Sequence, residues 1–186
     1  SLHGARITVL GMGDIGTEFA RRAQAFHPAC ITGVRRTVRS SDPAFTSIHA
    51  IAELDSALPE TDILVMALPS TAETVGILSR ERIALLPDNA LVVNVGRGTA
   101  IDQEALCDAL NAGRLAGAAL DVVVPEPLPA DHPVRRAKNL LLTPHVAGNM
   151  TLGYTCDKSV QMFCDDLENY AAGRPLAHLV DRKRGY

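Results

Sequence analysis

The sequence predicts an α/β protein built on a doubly wound parallel sheet, and three observations carry this prediction. Short apolar segments typical of strands alternate with amphipathic segments typical of helices along most of the chain, the pattern of a parallel sheet covered by helices on both faces. A glycine-rich turn follows the first strand. Ionisable residues follow later strands, where ligands bind in sheets of this kind.

Each predicted strand is a short apolar run bounded by turn or helix residues. The strands are Arg6–Leu10, Cys30–Val34, Ser47–His49, Ile63–Ala67, Leu91–Val95, Ala118–Val122 and Leu140–Leu142. The helices show apolar residues at spacings of three and four, or a capping residue before such a run. They are Asp14–Phe26, Ile51–Leu58, a short helix that Ser70 and Glu73 would cap, and Gln103–Ala112, which Asp102 caps and Gly113 ends.

Composition and charge narrow the function classes. Of 186 residues, 47% are apolar and 21% charged, with a net charge of −3, whereas nucleic-acid-binding domains usually carry a basic excess. No apolar run reaches the ~18 residues of a membrane helix, and the start has no signal-peptide pattern, so we expect a cytoplasmic protein. The cysteines show no metal-ligand spacing and are expected to be buried free thiols. They are Cys30, Cys107, Cys156 and Cys164.

The glycine-rich turn has the spacing G-x-G-x-x-G, with Gly11, Gly13 and Gly16 as its glycines. The first glycine permits a tight turn, the second lets a pyrophosphate approach the backbone, and the third lets the helix pack on the strand. The turn follows a predicted strand and opens a predicted helix, whose N-terminal amides favour phosphate. The sequence therefore predicts a dinucleotide-binding domain of the Rossmann type.

The residues after the second strand bear on the choice of cofactor. An acidic residue about 20 positions beyond the glycine turn usually binds the ribose of NAD, but this chain has Arg35 and Arg36 there and no acid before Asp42. A guanidinium suits a phosphate and cannot accept from a hydroxyl. The pair favours NADP, with NAD possible. The other interpretation is a solvated run of charge.

Three ionisable residues follow predicted strands and should meet at the edge of the sheet that carries the glycine turn. They are Arg97, Glu126 and His145. A hydride transfer needs a cation for the substrate carboxylate, a proton donor that titrates near neutral pH, and a carboxylate that fixes the donor's ring. Each residue taken alone has an ordinary structural explanation: a phosphate contact, a solvent-facing turn residue and a residue at a helix approach. Their joint placement favours catalysis.

The chain resembles the cofactor-binding domain of the D-2-hydroxyacid dehydrogenases in five blocks that occur in order. The blocks are 9–16 (VLGMGDIG), 67–74 (ALPSTAET), 93–98 (VNVGRG), 119–122 with 126–129 (ALDV and EPLP), and 142–148 (LTPHVAG). The resemblance implies that Arg97 binds the substrate, that His145 is the acid/base and that Glu126 is its partner. It also implies that Asp121 contacts the nicotinamide amide and that Val95 and Gly148 flank the ring.

The resemblance completes the predicted cofactor groove and the partners. The groove consists of Gly11, Gly13, Asp14, Ile15, Gly16, Arg35, Arg36, Leu68, Pro69, Thr74, Val95, Gly96, Asp121 and Gly148. The arginine pair is similar to that of NADP-preferring glyoxylate and hydroxypyruvate reductases. The expected substrate is a 2-oxo acid or a D-2-hydroxy acid, the expected assembly is a homodimer, and we expect no metal, nucleic acid or membrane.

The tail and one loop depart from this pattern. Apolar residues recur at spacings of three and four after Leu152, which predicts a long amphipathic helix that either packs on the sheet or belongs to a second domain or a dimer contact. We divide the chain into a dinucleotide-binding domain, 1–149, and a C-terminal helix and tail, 150–186. That helix would belong to a substrate domain whose N-terminal part is missing here. Val134-Arg135 stands where many members have Leu-Trp.

Two alternatives to an active reductase remain open. The chain is also similar to the family's corepressor members, which would make it a non-catalytic, dinucleotide-sensing interaction module. These members keep the residues equivalent to Arg97, Glu126 and His145, so the sequence does not separate the two functions. The other alternative is an inactive fragment that only binds the cofactor.

Overall fold

The computed structural model describes residues 1–38, 41–148 and 153–182. The chain forms two compact units, Ser1–Pro144 and His145–Tyr186. The first contains all seven strands of the described chain and four of its five α-helices, and the second contains the fifth helix. Within the described ranges, no helix has the length and apolar character needed to cross a membrane.

The first unit is built on one sheet whose neighbouring strands all pair in parallel. The strands are β1 (Arg6–Leu10), β2 (Cys30–Arg35), β3 (Ser47–Ala50), β4 (Ile63–Met66), β5 (Leu91–Asn94), β6 (Gly117–Leu120) and β7 (Leu140–Leu142). Their order in the sheet is β3-β2-β1-β4-β5-β6-β7. The order reverses beside β1, and ligands bind beyond the strand ends at such a reversal. The predicted doubly wound sheet is confirmed, with strand bounds within one or two residues.

Helices cover both faces of the sheet because its strands are apolar on both sides. The helices of the first unit are α1 (Asp14–Ala23), α2 (Leu54–Ala57), α3 (Arg80–Leu85) and α4 (Gln103–Asn111). Alternate residues of the central strands enter different core clusters: Val65 packs in the cluster that contains Ala20 of α1, and Leu64 in the one that contains Leu106 of α4. Leu106 is fully buried, which contributes about 2 kcal/mol.

Three of the predicted helices differ from the structure, and α3 was not predicted. The α-helix that starts at Asp14 ends at Ala23 and continues as a 3-10 turn, Gln24–Phe26. The helix predicted over Ile51–Leu58 is a single α-turn between two 3-10 turns. The short helix predicted after Ser70 is wrong, because residues 72–76 form a turn. By contrast, Asp102 caps α4 as predicted, accepting a hydrogen bond from the Ala105 N–H at 2.9 Å.

The register of the sheet aligns the ends of five strands in one row. Leu10 pairs with Met66, Met66 with Asn94, Asn94 with Leu120, and Leu120 with Leu142. Because all these strands run in the same direction, residues that follow the row leave the sheet at the same edge. The glycine turn follows β1 there, and the segments of Pro69, Arg97 and Glu126 follow β4, β5 and β6.

The second unit consists mainly of α5, Gly153–Ala171. Its predicted start at Leu152 lies outside the described residues. The apolar stripe is exposed: Val160 by 57%, Phe163 by 67% and Tyr170 by 74%. The expectation of buried thiols is wrong for the cysteines of this helix, since Cys156 and Cys164 are exposed, whereas Cys30 and Cys107 are half-buried.

Candidate functional site

The three glycines of the turn have the geometry that phosphate binding requires. Gly11 has φ = +106°, and a Cβ there would lie 2.6 Å from the carbonyl oxygen of Ala67. A Cβ on Gly16 would lie 1.9 Å from the carbonyl oxygen of Gly11, so α1 packs too closely on the turn for any side chain. Around Gly13 there is no atom within 4 Å of such a Cβ. A pyrophosphate therefore has room at Gly13.

The first turn of α1 lies directly behind this open space. Gly13 is the N-cap residue and provides no side-chain cap, so the helix keeps amide groups for an anion at its N-terminus. Asp14 is exposed, and 62% of Ile15 is exposed. An apolar side chain this exposed beside the phosphate turn suits contact with a bound dinucleotide.

The arginine pair lies at the end of β2, next to the glycine turn. Arg35 is the last residue of the strand and is half-buried, and Arg36 is exposed. Nη1 of Arg36 lies 3.6 Å from Oε2 of Glu73. Glu73 belongs to the loop after β4, so the ion pair joins the loops on either side of the glycine turn.

The loop after β4 is fixed by Thr74. This side chain is buried, and its hydroxyl donates to the carbonyl of Pro69 at 2.6 Å and accepts from the N–H of Thr71 at 2.8 Å. The hydroxyl thereby bonds the backbone on both sides of Ser70 and closes the turn found where the sequence predicts a short helix. Leu68 is buried against the Gly11 and Gly96 turns. The loop after β4 therefore lies beside the glycine turn at the carboxyl edge of the sheet. It contributes Leu68, Pro69 and Thr74 to this part of the predicted groove.

Asn94 fixes the backbone that carries Arg97. Asn94 is buried, its Oδ1 accepts from the N–H of Gly96 at 2.9 Å, and its Nδ2 donates to the carbonyl of Arg97 at 3.0 Å. A Cβ on Gly96 would lie 2.6 Å from the carbonyl oxygen of Leu68. The backbone that follows Val95 therefore packs closely against the backbone of Leu68. The Arg97 residue itself is exposed at the carboxyl edge of the sheet.

Glu126 is held on the neighbouring segment. Its Oε1 accepts a hydrogen bond from the backbone N–H of Val123 at 2.9 Å. Gly98 lies against the same backbone, since a Cβ on Gly98 would come within 2.4 Å of the Val123 carbonyl carbon. The structure thereby brings together the segments of Arg97 and Glu126, two of the three predicted catalytic residues.

Asp121 immediately follows β6 and is buried. Its Oδ1 accepts a hydrogen bond from the hydroxyl of Thr143 at 2.6 Å. The bond links the ends of β6 and β7 and fixes the Asp121 carboxylate at the carboxyl edge. A buried carboxylate at this edge suits recognition of a hydrogen-bond donor.

His145 and Gly148 belong to the second unit. His145 is its first residue and is exposed, with φ = +56°, a left-handed conformation uncommon for a residue with a side chain. Backbone of this kind often occurs at functional sites. Gly148 is also exposed. The meeting of His145 with Arg97 and Glu126 stays a prediction.

Sequence reasoning missed three supporting residues: Glu73, Asn94 and Gln103. Asn94 stands inside the VNVGRG block, and an asparagine before a tight turn is a recognisable signal for side-chain bonds to the backbone. The spacing of Ser70 and Glu73 predicts a capping role for Glu73 instead. The contact of Gln103 with Val124 has no local signal, because 21 residues separate the partners. Among the described residues, no group of three or more His, Cys, Asp or Glu side chains is arranged to hold a metal ion.

Residues 1–147 match the family described as D-isomer specific 2-hydroxyacid dehydrogenase, NAD binding domain. The chain belongs to this family. The resemblance expected from the five blocks is confirmed, and so is the dinucleotide-binding fold. The matched range includes the glycine turn, and its role in binding phosphate stays a prediction.

The chain is also similar in sequence and structure to individual dehydrogenases and reductases. Glyoxylate/hydroxypyruvate reductase B of Pectobacterium carotovorum (strain PC1) is 38% identical over 146 residues, which are 78% of this chain and 45% of the reductase. A D-isomer specific 2-hydroxyacid dehydrogenase from Xanthobacter autotrophicus Py2, solved with NADPH and MES, is 34% identical with a TM-score of 0.86, covering 98% of this chain and 73% of that one.

A third relative is the NADPH-dependent glyoxylate/hydroxypyruvate reductase from Sinorhizobium meliloti, solved with NADP and sulfate. It is 29% identical with a TM-score of 0.89, and the match covers all of this chain and 58% of the reductase. The chain spans about half the length of the curated relatives it matches.

Proposed function

We propose that the chain is the cofactor-binding part of an NADPH-dependent enzyme that reduces a 2-oxo acid to a D-2-hydroxy acid. Two similar proteins are named glyoxylate/hydroxypyruvate reductases, so glyoxylate and hydroxypyruvate are the first substrates to test. The observation that carries the proposal is the packing of Gly98 on Val123, which joins the Arg97 and Glu126 segments at the edge with the phosphate-binding turn.

Arg97, His145 and Glu126 have different roles in the proposed reaction. Bound NADPH supplies the hydride for the keto carbon. The guanidinium of Arg97 binds the carboxylate of the 2-oxo acid and polarises the keto group. His145 donates a proton to the keto oxygen as negative charge develops there, and Glu126 orients the imidazole.

The cofactor is NADPH in this proposal, and Arg35 and Arg36 bind its 2′-phosphate. Solved relatives with NADPH or NADP support the choice, together with the arginine pair at the end of β2. Titration of the chain should show tighter binding of NADPH than of NADH. Replacing both arginines by alanine should narrow that difference, because a charge-assisted contact contributes about 1.5–3 kcal/mol. Equal affinities in the unmodified chain would contradict the choice.

Turnover by the full-length protein tests the reaction itself. A panel of 2-oxo acids with NADPH should yield the D-2-hydroxy acid from at least one member. Replacement of His145 by Asn should remove most turnover, since general acid–base catalysis contributes roughly 10²–10⁴-fold. Binding of NADPH without turnover of any 2-oxo acid would support the sensing module instead. Retention of near-normal turnover by the His145 variant would assign the proton to another group.

Assembly and location complete the proposal. A homodimer is supported by the edge strand β7, where 63% of Leu141 is exposed. Light scattering should give twice the chain mass, and a monomer at high concentration would contradict the dimer.

A cytoplasmic location is supported by four free cysteines, which suit a reducing compartment. Fractionation of the source cells tests this location.

A further inference from the structure

The ion pair of Arg36 and Glu73 spans the place where the adenosine ribose of a dinucleotide would be recognised. In the sheet, β1 lies between β2 and β4. The loops after β2 and β4 therefore flank the phosphate-binding turn that follows β1. Arg36 stands in the first of these loops and Glu73 in the second, with Nη1 and Oε2 3.6 Å apart.

Hydrogen bonds hold the backbone of the loop that carries Glu73, although the Glu73 side chain is exposed. The buried hydroxyl of Thr74 is bonded to Pro69 and Thr71, and the N–H of Gly76 donates to the carbonyl of Thr99 at 2.8 Å. The side chain of Glu73 is 63% exposed. These hydrogen bonds fix the backbone from which the Glu73 carboxylate reaches Arg36.

The chemistry of the two groups has opposite consequences for the two cofactors. Domains of this kind usually read an unphosphorylated ribose with a carboxylate that accepts from the 2′-hydroxyl. Arg36 cannot accept such a bond, but Glu73 brings a carboxylate to the same place from the neighbouring loop. A 2′-phosphate is a dianion or nearly so near neutral pH, so the same carboxylate repels it and competes with it for Arg36.

We propose that Glu73 is a specificity-determining residue that favours the 2′-hydroxyl of NADH and weakens the preference for the 2′-phosphate of NADPH. The proposal rests on the proposed function, because it requires a dinucleotide in this groove. Glu73 would oppose the preference for NADPH that Arg35 and Arg36 create. Discrimination between NADPH and NADH would then depend on the loops after β2 and β4 together.

The test is the ratio of NADPH affinity to NADH affinity in the Glu73→Gln variant, measured by titration of the chain. Glutamine keeps the size of the side chain and removes its charge. We expect NADPH to bind roughly threefold to fivefold more tightly, the size of an interaction between exposed charges, and NADH to bind more weakly. Adenosine 2′,5′-bisphosphate and adenosine 5′-monophosphate should show the same change of ratio, which locates the effect at the adenosine end.

Asp88→Asn is the matched control. Asp88 is 80% exposed and lies 4.0 Å from Arg114, but it precedes β5 and so stands at the opposite edge of the sheet. This variant should leave the affinity ratio unchanged. If Glu73→Gln leaves the ratio unchanged or lowers it while NADPH still binds, the role of Glu73 is wrong and the proposed function stands. If the unmodified chain binds neither dinucleotide, the proposed function fails and the role of Glu73 fails with it.

Discussion

The side-chain amide of Gln103 makes two hydrogen bonds to the backbone of Val124. Its Nε2 donates to the carbonyl at 2.6 Å, and its Oε1 accepts from the N–H at 2.9 Å. Gln103 is the first residue of α4. The helix therefore holds the segment in which the neighbouring residue Val123 donates to Glu126.

Replacing Gln103 by Ala should loosen this segment. A net hydrogen bond contributes about 0.5–1.5 kcal/mol, so the free energy of unfolding should fall by about 1–2 kcal/mol in urea titration. Hydrogen exchange of the Val124 amide should accelerate more than the global change explains. The matched control is Gln161→Ala on α5, where the amide bonds only to the exposed Asp165 one turn away. Unchanged exchange at Val124 would show that the bonds do not hold the segment.

Two glycines of the glycine turn should respond differently to alanine. At Gly16 the new Cβ meets the Gly11 carbonyl oxygen at 1.9 Å, whereas at Gly13 it meets open space. Gly16→Ala should lower the free energy of unfolding by about 3 kcal/mol, measured by thermal or urea unfolding. Gly13→Ala should cost about 1 kcal/mol or less, because alanine is only a poorer N-cap.

The binding experiment separates the two positions further. In Gly13→Ala the methyl group enters the space for the pyrophosphate, and loss of about one charge-assisted contact would weaken dinucleotide binding roughly tenfold or more. Thus one variant should lose stability and the other affinity. The interpretation of the turn fails if Gly13→Ala binds NADPH as the unmodified chain does.

The parts of the fold that follow from local pattern were predictable. Strand positions came from apolar runs, and the roles of Gly11, Gly13 and Gly16 came from spacing in a strand–turn–helix context. The strand ends then placed Arg97 and Glu126 at one edge, because parallel strands share a direction. This reasoning needs no knowledge of which strand neighbours which.

The parts that depend on tertiary contact were not predictable. The sequence did not predict α3, whose six residues are too few to show a period and whose cap is Ser79. Ser70 and Glu73 resemble a helix start, but the buried hydroxyl of Thr74 closes a turn first. The pairing of Arg36 with Glu73 requires the sheet order, which places the loops of β2 and β4 on either side of β1.

The cysteines should differ in their reaction with a limiting amount of iodoacetamide. Burial raises the pKa of the Cys107 thiol, and the thiolate is the reactive form. Cys156 and Cys164 are exposed. We expect these two to be modified several times faster than Cys107 at neutral pH, as measured by peptide mass spectrometry, and the difference to vanish in denaturant. Faster labelling of Cys107 in the folded chain would contradict its burial.

The ion pair of Arg6 and Asp62 predicts a dependence of stability on pH. The hydrogen bond from the Arg6 guanidinium lowers the pKa of Asp62 below its ordinary value of 3.8. A carboxyl group with a lowered pKa in the folded state stabilises the fold above its ordinary pKa, and this contribution disappears as the pH falls through the folded value. Asp62→Asn keeps an acceptor for the Arg6 backbone N–H, which Oδ2 now accepts at 2.8 Å. It removes the charge and replaces Oδ1, the acceptor for Nη2 of Arg6 at 2.7 Å, by an amide nitrogen that only donates.

The variant should unfold at a lower temperature near neutral pH, by a few degrees at most, because 39% of the Asp62 side chain is exposed and solvent screens the pair. The difference from the unmodified chain should shrink once the pH falls below 3.8. Thermal unfolding followed by circular dichroism across this range measures both effects. Asp88→Asn provides the comparison, because its carboxylate is 80% exposed and lies 4.0 Å from Arg114. A constant difference between Asp62→Asn and the unmodified chain at all pH values would mean that the amide changes packing and that the charge of Asp62 contributes nothing to folding.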